Sequence, residues 1–350
     1  MSTAPFLRLE YLTPAESQFD NRRGVLGAAA FAGGATVLAD GEDDFPLAHV
    51  HTPVLSDARD TLEVWRASER TQPASHGRVR YATGGDLLFG SLAVHEAEVT
   101  SSAGADPRPP LEIATDLAYR EMYAALAAAG NPQLVRVWNY IPDINLGSHG
   151  LERYRQFNTA RHEASLASGR TVTGSVPAAS ALGGASGSPL TIYFLASRRT
   201  PAFIENPRQM SAYRYPTQYG PRSPAFSRAT VLGEGAEATL FVSGTASIVG
   251  HRTLHAGDPA AQTRETLTNI EALLEEAARR SGIGALRLET LAYKIYIRDP
   301  KDLPVIRAEL ESAVGPGAGL LYLEADICRQ DLSVEIEAVG GGGWRHNGSG

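Results

Sequence analysis

The sequence has little cysteine, no excess of positive charge and no long apolar run, and each shortage excludes a class of protein. Its one cysteine, Cys328, excludes an intrachain disulfide framework and is typical of a reducing compartment. The net charge of −7 disfavours binding to nucleic acid or to an anionic membrane. The most apolar stretch, residues 25–39, is too short and too glycine-rich to cross a bilayer. Because the first residues also lack the features of a signal peptide, we expect a cytoplasmic protein.

What the sequence does contain is the composition of an ordinary globular protein. Of its 350 residues, 43% are hydrophobic and 20% are charged. A chain of this length can bury a large core, and it is long enough for two domains or one large domain.

Two parts of the chain repeat the same order of elements. In each part, a short apolar strand around Gly90 or Gly244 is followed by a helix, a strand, a second helix and a final strand. This order predicts an α+β fold of two tandem domains, each a mixed sheet with helices packed on one face. We therefore predict an N-terminal extension (residues 1–80) packed on a first domain (81–200) that serves as scaffold. A proline-rich connector (201–228) leads to the second domain (229–340), and a flexible tail (341–350) follows.

The final strand of the second repeat raises a question about two acids. In the stretch DLSVEIEAVG, apolar residues alternate with Glu335 and Glu337, so the two acids share one face of the predicted strand. Acids on the open face of an antiparallel strand are usually solvated. The first repeat, however, has Tyr193 and Leu195 at the corresponding positions. This difference favours a functional acid at Glu335, although an N-terminal extension covering the first repeat would also explain it.

The second repeat resembles a known family of small proteins. The stretches FVSGTASIVG, DPAAQTRETLTNIEALLEEA, KIYIRDPKDL and VEIEA resemble the RidA (YjgF) family of trimeric α+β proteins, whose active site lies between subunits. The resemblance implies that Glu335, the first glutamate of the EIEA strand, is catalytic. The substrate-binding arginine of that family would fall near Leu320, where this chain has none, which argues against simple imine deamination.

A fuller resemblance covers nearly the whole chain. The stretches RVWNYIPDIN, LERYRQFNTAR, IENPRQMSAYRYPTQYGPRSPAFSRA, GHRTLHAGD and DLSVEIEA resemble the chorismatases, which carry two RidA-like halves in one chain and cleave pyruvate from chorismate. We expect an enzyme without a cofactor. His251 and His255 in HRTLH lie four residues apart, as metal ligands on a helix do, but a loop is expected there and no third ligand is apparent, so we also infer no metal. We expect a monomer, because the duplication already supplies the cleft that small relatives form between subunits. Three functions stay open: formation of 3-hydroxybenzoate and pyruvate, hydrolysis to a dihydroxycyclohexadiene carboxylate and pyruvate, and non-catalytic binding.

Chorismate is a dianion, so an acidic protein must bind it with local cations. Guanidinium suits this role because its planar fork binds a carboxylate through two hydrogen bonds. The connector supplies Arg222 and Arg228. The helix predicted in LERYRQFNTAR supplies Arg155 and Arg161, which do not share one helical face, and we favour Arg161 as the residue that faces the substrate.

Tyrosines are frequent in the same segments. A phenol donates one hydrogen bond to a carboxylate while its ring packs against an apolar diene. Tyr215 and Tyr219 bracket the part of the connector that resembles the substrate loop of the family, and Tyr154 lies on the same predicted helix as Arg161. These three tyrosines are the predicted aromatic part of the substrate site.

The chemistry requires a carboxylic acid that is protonated at neutral pH. Cleavage of the enol ether begins when a proton reaches the methylene carbon, and a carboxyl group can deliver that proton only if burial raises its pKa. Glu335 fits this role, and Glu337 is predicted to lie nearer the rim of the site.

The resemblance also assigns a role to Gly244 and Cys328. The 3-hydroxybenzoate-forming chorismatases have glycine and cysteine at these positions, as this chain does, whereas those that hydrolyse the ether have alanine. Because Gly244 has no methyl group, we expect room for the substrate ring beside it. We expect Cys328 to assist as a weak acid or base. We therefore expect 3-hydroxybenzoate as the main product.

Overall fold

The N-terminal part of the chain forms its own small sheet. The structure is a computed structural model that describes residues 6–12, 24–31, 45–55, 61–102, 106–315 and 318–344. The N-terminal sheet has four strands in the order β1-β4-β2-β3, with bounds β1 (Leu7–Leu12), β2 (Val25–Phe31), β3 (Leu47–Val50) and β4 (Thr61–Ala67).

The first repeat forms a six-stranded sheet, called sheet I here, in the order β11-β8-β12-β7-β6-β5. Its elements, with a small hairpin between β8 and α3, are β5 (Gln72–His76), β6 (Val79–Gly84), β7 (Leu87–Val94), α1 (Glu96–Ser102), α2 (Pro110–Ala128), β8 (Gln133–Pro142), β9 (Gly147–Ser148), β10 (Leu151–Glu152), α3 (Arg153–Ala167), β11 (Ala178–Gly184) and β12 (Leu190–Ser197).

The second repeat forms sheet II, also six-stranded, in the order β13-β14-β15-β20-β18-β19. Its elements, with a small hairpin between β15 and α4, are β13 (Ala202–Ile204), β14 (Ala229–Leu232), β15 (Thr239–Thr245), β16 (Ile248–Val249), β17 (Arg252–Thr253), α4 (Pro259–Ser281), β18 (Ala292–Ile297), α5 (Leu303–Val314), β19 (Gly319–Glu324) and β20 (Val334–Gly341).

The two sheets have the same topology, which confirms the predicted fold of two mixed sheets. In each sheet the outer pair is parallel, β8 with β11 and β18 with β19, and the other pairs are antiparallel. Neither of these parallel edge strands, β11 and β19, was predicted from the sequence. The structure also begins sheet I at Gln72, ahead of the expected boundary at residue 81, and uses Ala202–Ile204 of the expected connector as the edge strand of sheet II. The division into separately folding domains stays a prediction.

Helix α4 illustrates why the predicted helices form. Its apolar residues recur at helical spacing and are buried against sheet II. At the start, the side chain of Asp258 accepts a hydrogen bond from the backbone N–H of Ala261 at 3.0 Å. At the end, Gly282 takes the left-handed conformation with φ of 68°, which favours glycine. Helices α2 and α3 cover the outer face of sheet I in the same way.

The inner faces of the two sheets meet in an aromatic core that the N-terminal sheet completes. Trp138 of sheet I lies 5.8 Å, between ring centroids, from Trp65 of β4, which lies the same distance from Phe241 of sheet II. The extension also pairs with sheet II directly, through an isolated bridge between Val54 and Leu323. The expected extension over the first domain therefore packs on both repeats, because it fills the gap between their inner faces.

The described part of the predicted tail is packed against the fold. The backbone N–H of Leu9 donates to the carbonyl of Gly343 at 2.9 Å, and the Trp344 ring lies 6.2 Å from the Tyr11 ring. Residues 345–350 lie outside the described residues. Among the described residues, no helix combines the length and the apolar character that a bilayer span requires.

Candidate active site

Strand β20 directs its two acids to the inner face of sheet II. Val334 and Ile336 face outward and pack with helices α4 and α5, so the alternation of the strand turns Glu335 and Glu337 toward sheet I. The two acids are only 4% and 5% exposed. The solvated interpretation of these acids is therefore wrong.

Gly244 makes room for the Glu335 carboxyl group. The pairing of β15 with β20 changes register between Val242 and Thr245, and Gly244 lies in this irregular stretch. A methyl group added at Gly244 would stand 1.9 Å from Oε1 of Glu335. The carboxyl group therefore rests directly against the backbone of β15, at a position that glycine alone leaves open. The space that we expect for the substrate ring is thus occupied, in the structure, by the acid itself.

The surroundings of Glu335 favour its protonated form. Burial, followed by the negative charge of Glu337, raises the pKa of Glu335 to about 8. Arg136, the thiol of Cys328 and Arg228 act in the opposite direction and do not cancel this effect. Glu335 is thus an acid that holds its proton at neutral pH.

Cys328 lies beside the acid as a neutral thiol. Its Sγ donates a weak hydrogen bond to Oε2 of Glu335 at 3.9 Å. Burial, followed by the carboxyl group of Glu335, raises the pKa of Cys328 to about 12. The thiolate is therefore suppressed at neutral pH, and the geometry favours a neutral donor rather than a base at this position.

A cavity of about 560 Å³ opens in front of Glu335. Its wall combines both repeats and the connector, because Asn145 and Tyr154 come from the first repeat, Gly244 and Cys328 from the second, and Phe226 from the connector. A smaller recess behind it reaches Arg161 and Ser180. The expected cleft between the two repeats is thus present, and the acid lies where the cavity and the recess meet.

Arg228 lines this cavity, as the sequence predicted. It is 3% exposed, and its Nη2 donates to the carbonyl of Met210 at 2.7 Å and to the hydroxyl of Tyr215 at 2.8 Å. Its buried Nε–H has no hydrogen-bond partner among the described residues. An unpaired guanidinium N–H in a cavity is suited to bind an anion.

Arg329 also lines the cavity and was missed by sequence analysis. Its guanidinium stacks 4.2 Å above the ring of Tyr219, and its Nη1 donates to the carbonyl of His251 at 2.9 Å. Its buried Nη2 is unpartnered within the described part of the chain. The available sequence signal was its position directly after Cys328, a residue that was already a candidate.

The other predicted arginines separate. Arg161 is 5% exposed in the recess, with a buried Nε–H that lacks a partner among the described residues. Arg222, by contrast, is exposed and lies outside both the cavity and the recess. Its predicted position in the site is therefore wrong. Arg155 lines the outer cavity and pairs with Glu152 at 3.1 Å, so Arg155 and Arg161 of α3 reach the site at different depths.

The three predicted tyrosines all line the site. Tyr154 is shared by the cavity and the recess, and burial raises its pKa above the usual range. The rings of Tyr215 and Tyr219 lie 5.4 Å apart; Tyr215 directly follows one short 3₁₀ turn of the connector, and Tyr219 ends the next one. The Tyr215 hydroxyl accepts from Arg228, and the Tyr219 ring stacks with Arg329, so the two tyrosines hold the neighbouring arginines and form an aromatic wall. The Tyr219 hydroxyl itself donates to the carbonyl of His251 at 2.6 Å.

The sequence predicted that Glu337 lies nearer the rim of the site, and this prediction is wrong, because Glu337 lies between the two sheets. Its carboxylate forms ion pairs with Lys294 at 2.8 Å and with Arg136 at 2.7 Å. Burial alone would raise the pKa of Glu337, but these two cations lower it below its usual value. Lys294 also pairs with Glu63 of the N-terminal sheet. A sequence signal was present at Lys294, which is the one charged residue of the apolar and aromatic strand β18. Glu63 and Arg136 lie in strands with further polar residues, so they stand out less.

The donor set does not suggest a metal centre. Among the described residues, no group of three or more histidine, cysteine or acidic side chains is arranged to hold a metal ion. His251 instead lies in the turn between β16 and β17, with its Nδ1 3.1 Å from the Tyr219 hydroxyl.

Comparison with known proteins gives consistent matches. Residues 63–196 match the family model described as chorismatase FkbO/Hyg5-like, N-terminal. A chorismatase of Streptomyces rapamycinicus is 37% identical over 96% of this chain and 98% of its own length. A 3-hydroxybenzoate synthase of Streptomyces hygroscopicus is 37% identical over 82% of this chain and 83% of its own length. A solved chorismatase structure is 30% identical, covers 97% of this chain and all of its own, and has a TM-score of 0.83.

Proposed function

The chain belongs to the chorismatase family and is an enzyme that acts on chorismate, and we propose that it forms 3-hydroxybenzoate and pyruvate. The observation that carries the proposal is Glu335, a buried acid with a pKa raised to about 8, at the end of a cavity lined by arginines. Such an acid stores the proton that enol ether cleavage needs at neutral pH.

The arginines account for binding of the dianion. Arg228, Arg329 and Arg161 each have a buried N–H group without a partner among the described residues. Because an unpaired buried guanidinium is costly, a substrate carboxylate that accepts these hydrogen bonds is favoured. Arg228 and Arg329 flank Tyr215, so their charges concentrate on one wall of the cavity. The arrangement supports binding of one carboxylate there and the second toward Arg161.

The proposed reaction begins with proton transfer from Glu335 to the methylene carbon of the enolpyruvyl group. The resulting oxocarbenium ion makes pyruvate a good leaving group. The neighbouring ring hydroxyl then attacks the ring carbon that carries the ether, the carbon–oxygen bond breaks, and the hydroxyl proton returns to the Glu335 carboxylate. The products of this step are pyruvate and a ring epoxide. Opening of the epoxide and loss of the ring proton from the oxygen-bearing carbon give 3-hydroxybenzoate, with no water consumed.

Two features support this product over hydrolysis. Gly244 and Cys328 match the residues of the 3-hydroxybenzoate-forming members, and a relative at 37% identity is named 3-hydroxybenzoate synthase. The structure adds a physical reason, because glycine at position 244 lets the Glu335 carboxyl group approach the backbone of β15 closely. With alanine there, the carboxyl group must move, and the proton would be delivered from a different direction.

The test is to incubate the protein with chorismate and to identify the products by chromatography and mass. We expect pyruvate and 3-hydroxybenzoate in equal amounts. Glu335→Gln should abolish pyruvate release, since an amide cannot donate the proton, while Glu234→Gln, an exposed control, should leave it unchanged. Release of the diene diol as the main product would overturn the product assignment, and normal turnover by Glu335→Gln would overturn the role of the acid.

A further inference from the structure

Behind Glu335 lies a buried group of charges that the proposed reaction does not use. Both oxygens of Glu337 are saturated with donors: Oε1 accepts from Trp138 Nε1 at 2.7 Å and contacts Lys294 at 2.8 Å. Oε2 accepts from Arg136 Nη2 at 2.7 Å and from the Ser180 hydroxyl at 2.7 Å. A carboxyl group that accepts four hydrogen bonds has no place for a proton of its own. Glu337 is therefore held as a carboxylate.

The charges of this group balance, and the N-terminal sheet completes the balance. Lys294 is shared between Glu337 and Glu63. Glu63 is further held by the indole N–H of Trp65 at 2.8 Å and by the Tyr193 hydroxyl at 3.3 Å. Two acids and two bases, all of them buried, thus form a neutral unit whose charges are fixed in place. Of its two acids, Glu337 is the one that neighbours Glu335 on β20.

We propose that Glu337 is a positioning residue for the reaction: its fixed carboxylate keeps the neighbouring Glu335 protonated and therefore able to donate. The inference rests on the proposed function, since it assumes that Glu335 is the acid. The two glutamates are on the same face of β20, two residues apart, in a water-poor interior where a like charge strongly opposes a second ionisation.

A short hydrogen-bonded path connects Glu337 to Gly244, the residue that the Glu335 carboxyl group contacts. The Ser180 hydroxyl, which donates to Glu337, accepts a hydrogen bond from the backbone N–H of Gly244 at 3.0 Å. Gly244 is the residue against which the Glu335 carboxyl lies. Glu337 therefore fixes both the charge state of the acid and, through Ser180, the strand that supports it.

Among the described ionisable groups that face Glu335, Glu337 is the one that holds a negative charge at neutral pH. The others come from separate elements: Arg136 from β8, Arg228 from the connector, Tyr154 from α3 and Cys328 from the loop before β20. The two arginines favour ionisation of Glu335, and the tyrosine and the thiol are neutral at pH 7 because burial raises the pKa of each. Removal of the Glu337 charge should thus leave the arginines unopposed and make Glu335 give up its proton at lower pH.

The test is the pH dependence of kcat/KM for pyruvate release from chorismate. In the wild-type protein, activity should fall as the pH rises through about 8, because the acid loses its proton. In Glu337→Gln this limb should move down by about 1–3 pH units. A shift of about 2 units lowers activity about tenfold at pH 7, and activity returns at lower pH. A purely structural role would lower activity by the same factor at every pH.

Further variants make the outcome decisive. Glu337→Asp keeps the charge and should restore most of the limb position. The double variant Lys294→Met with Glu337→Gln removes one charge of each sign, and should show the lowered limb even if Glu337→Gln does not fold. A wild-type limb near the ordinary pKa of a glutamate overturns the inference, and so does an unmoved limb in either folded variant. Absence of pyruvate from the wild-type reaction would instead overturn the proposed function.

Discussion

Replacing Glu335 by glutamine should make the protein more stable, and increasingly so as the pH rises. The pKa of Glu335 is raised from 4.5 to about 8 in the native state, by burial first and by Glu337 second. Its contribution to stability is therefore greatest below pH 4.5 and is lost as the pH rises through about 8. The difference between the unfolded and native pKa values corresponds to about 5 kcal/mol in the free energy of unfolding, at about 1.4 kcal/mol for each pH unit.

The assay is denaturant unfolding of wild type and Glu335→Gln at several pH values. Because glutamine does not ionise, the stability of the variant relative to wild type should increase by about 4 kcal/mol between about pH 5 and about pH 9. Comparison of wild type with Glu335→Gln thus measures the free energy of unfolding that the wild-type protein loses by burying an ionisable donor acid. Such a cost is common at sites built for chemistry.

Glu337→Gln is the matched control, since it makes the same change on the same face of the same strand. The pKa of Glu337 is lowered, so its stabilisation is present above its unfolded value and is lost as the pH falls. This variant should be less stable than wild type at neutral pH by about 3–5 kcal/mol, because Lys294 and Arg136 lose a buried partner. A stability difference between Glu335→Gln and wild type that stays constant across the same pH range would refute the reasoning.

Further predictions concern the glycine, the thiol and the arginines. Gly244→Ala should displace the Glu335 carboxyl and lower kcat at least tenfold, with little change in the unfolding midpoint; unchanged kcat would contradict the contact. The double variant Gly244→Ala with Cys328→Ala should shift the product toward the diene diol, as measured by chromatography. An unchanged product ratio would show that these two residues do not determine the product. Arg228→Ala should lower kcat/KM by a factor that corresponds to about 2–5 kcal/mol, whereas Arg222→Ala, exposed and outside the cavity, should behave as wild type. Equal losses in both arginine variants would contradict the placement of Arg222.

Local patterns were enough to predict the repeated part of the fold. Apolar spacing and the caps of α4, at Asp258 and Gly282, are decided by neighbours within a few residues, so the sequence contains them directly. The edge strands β11 and β19 each pair on one side only, with a strand on the far side of a helix. Strand β11, AASALGG, was missed because alanine and glycine carry little strand signal.

The candidate site divides in the same way. The sequence by itself determined that β20 carries two acids on one face, that one repeat differs from the other, and that the arginines and tyrosines lie in particular segments. Only the tertiary structure decided what those acids do. Glu335 and Glu337 have the same side chain on the same face, yet Glu335 is buried at the end of the cavity and Glu337 meets Arg136 and Lys294. These surroundings move their pKa values in opposite directions. Charge state depends on burial and on partners brought from distant parts of the chain, so no local pattern contains it.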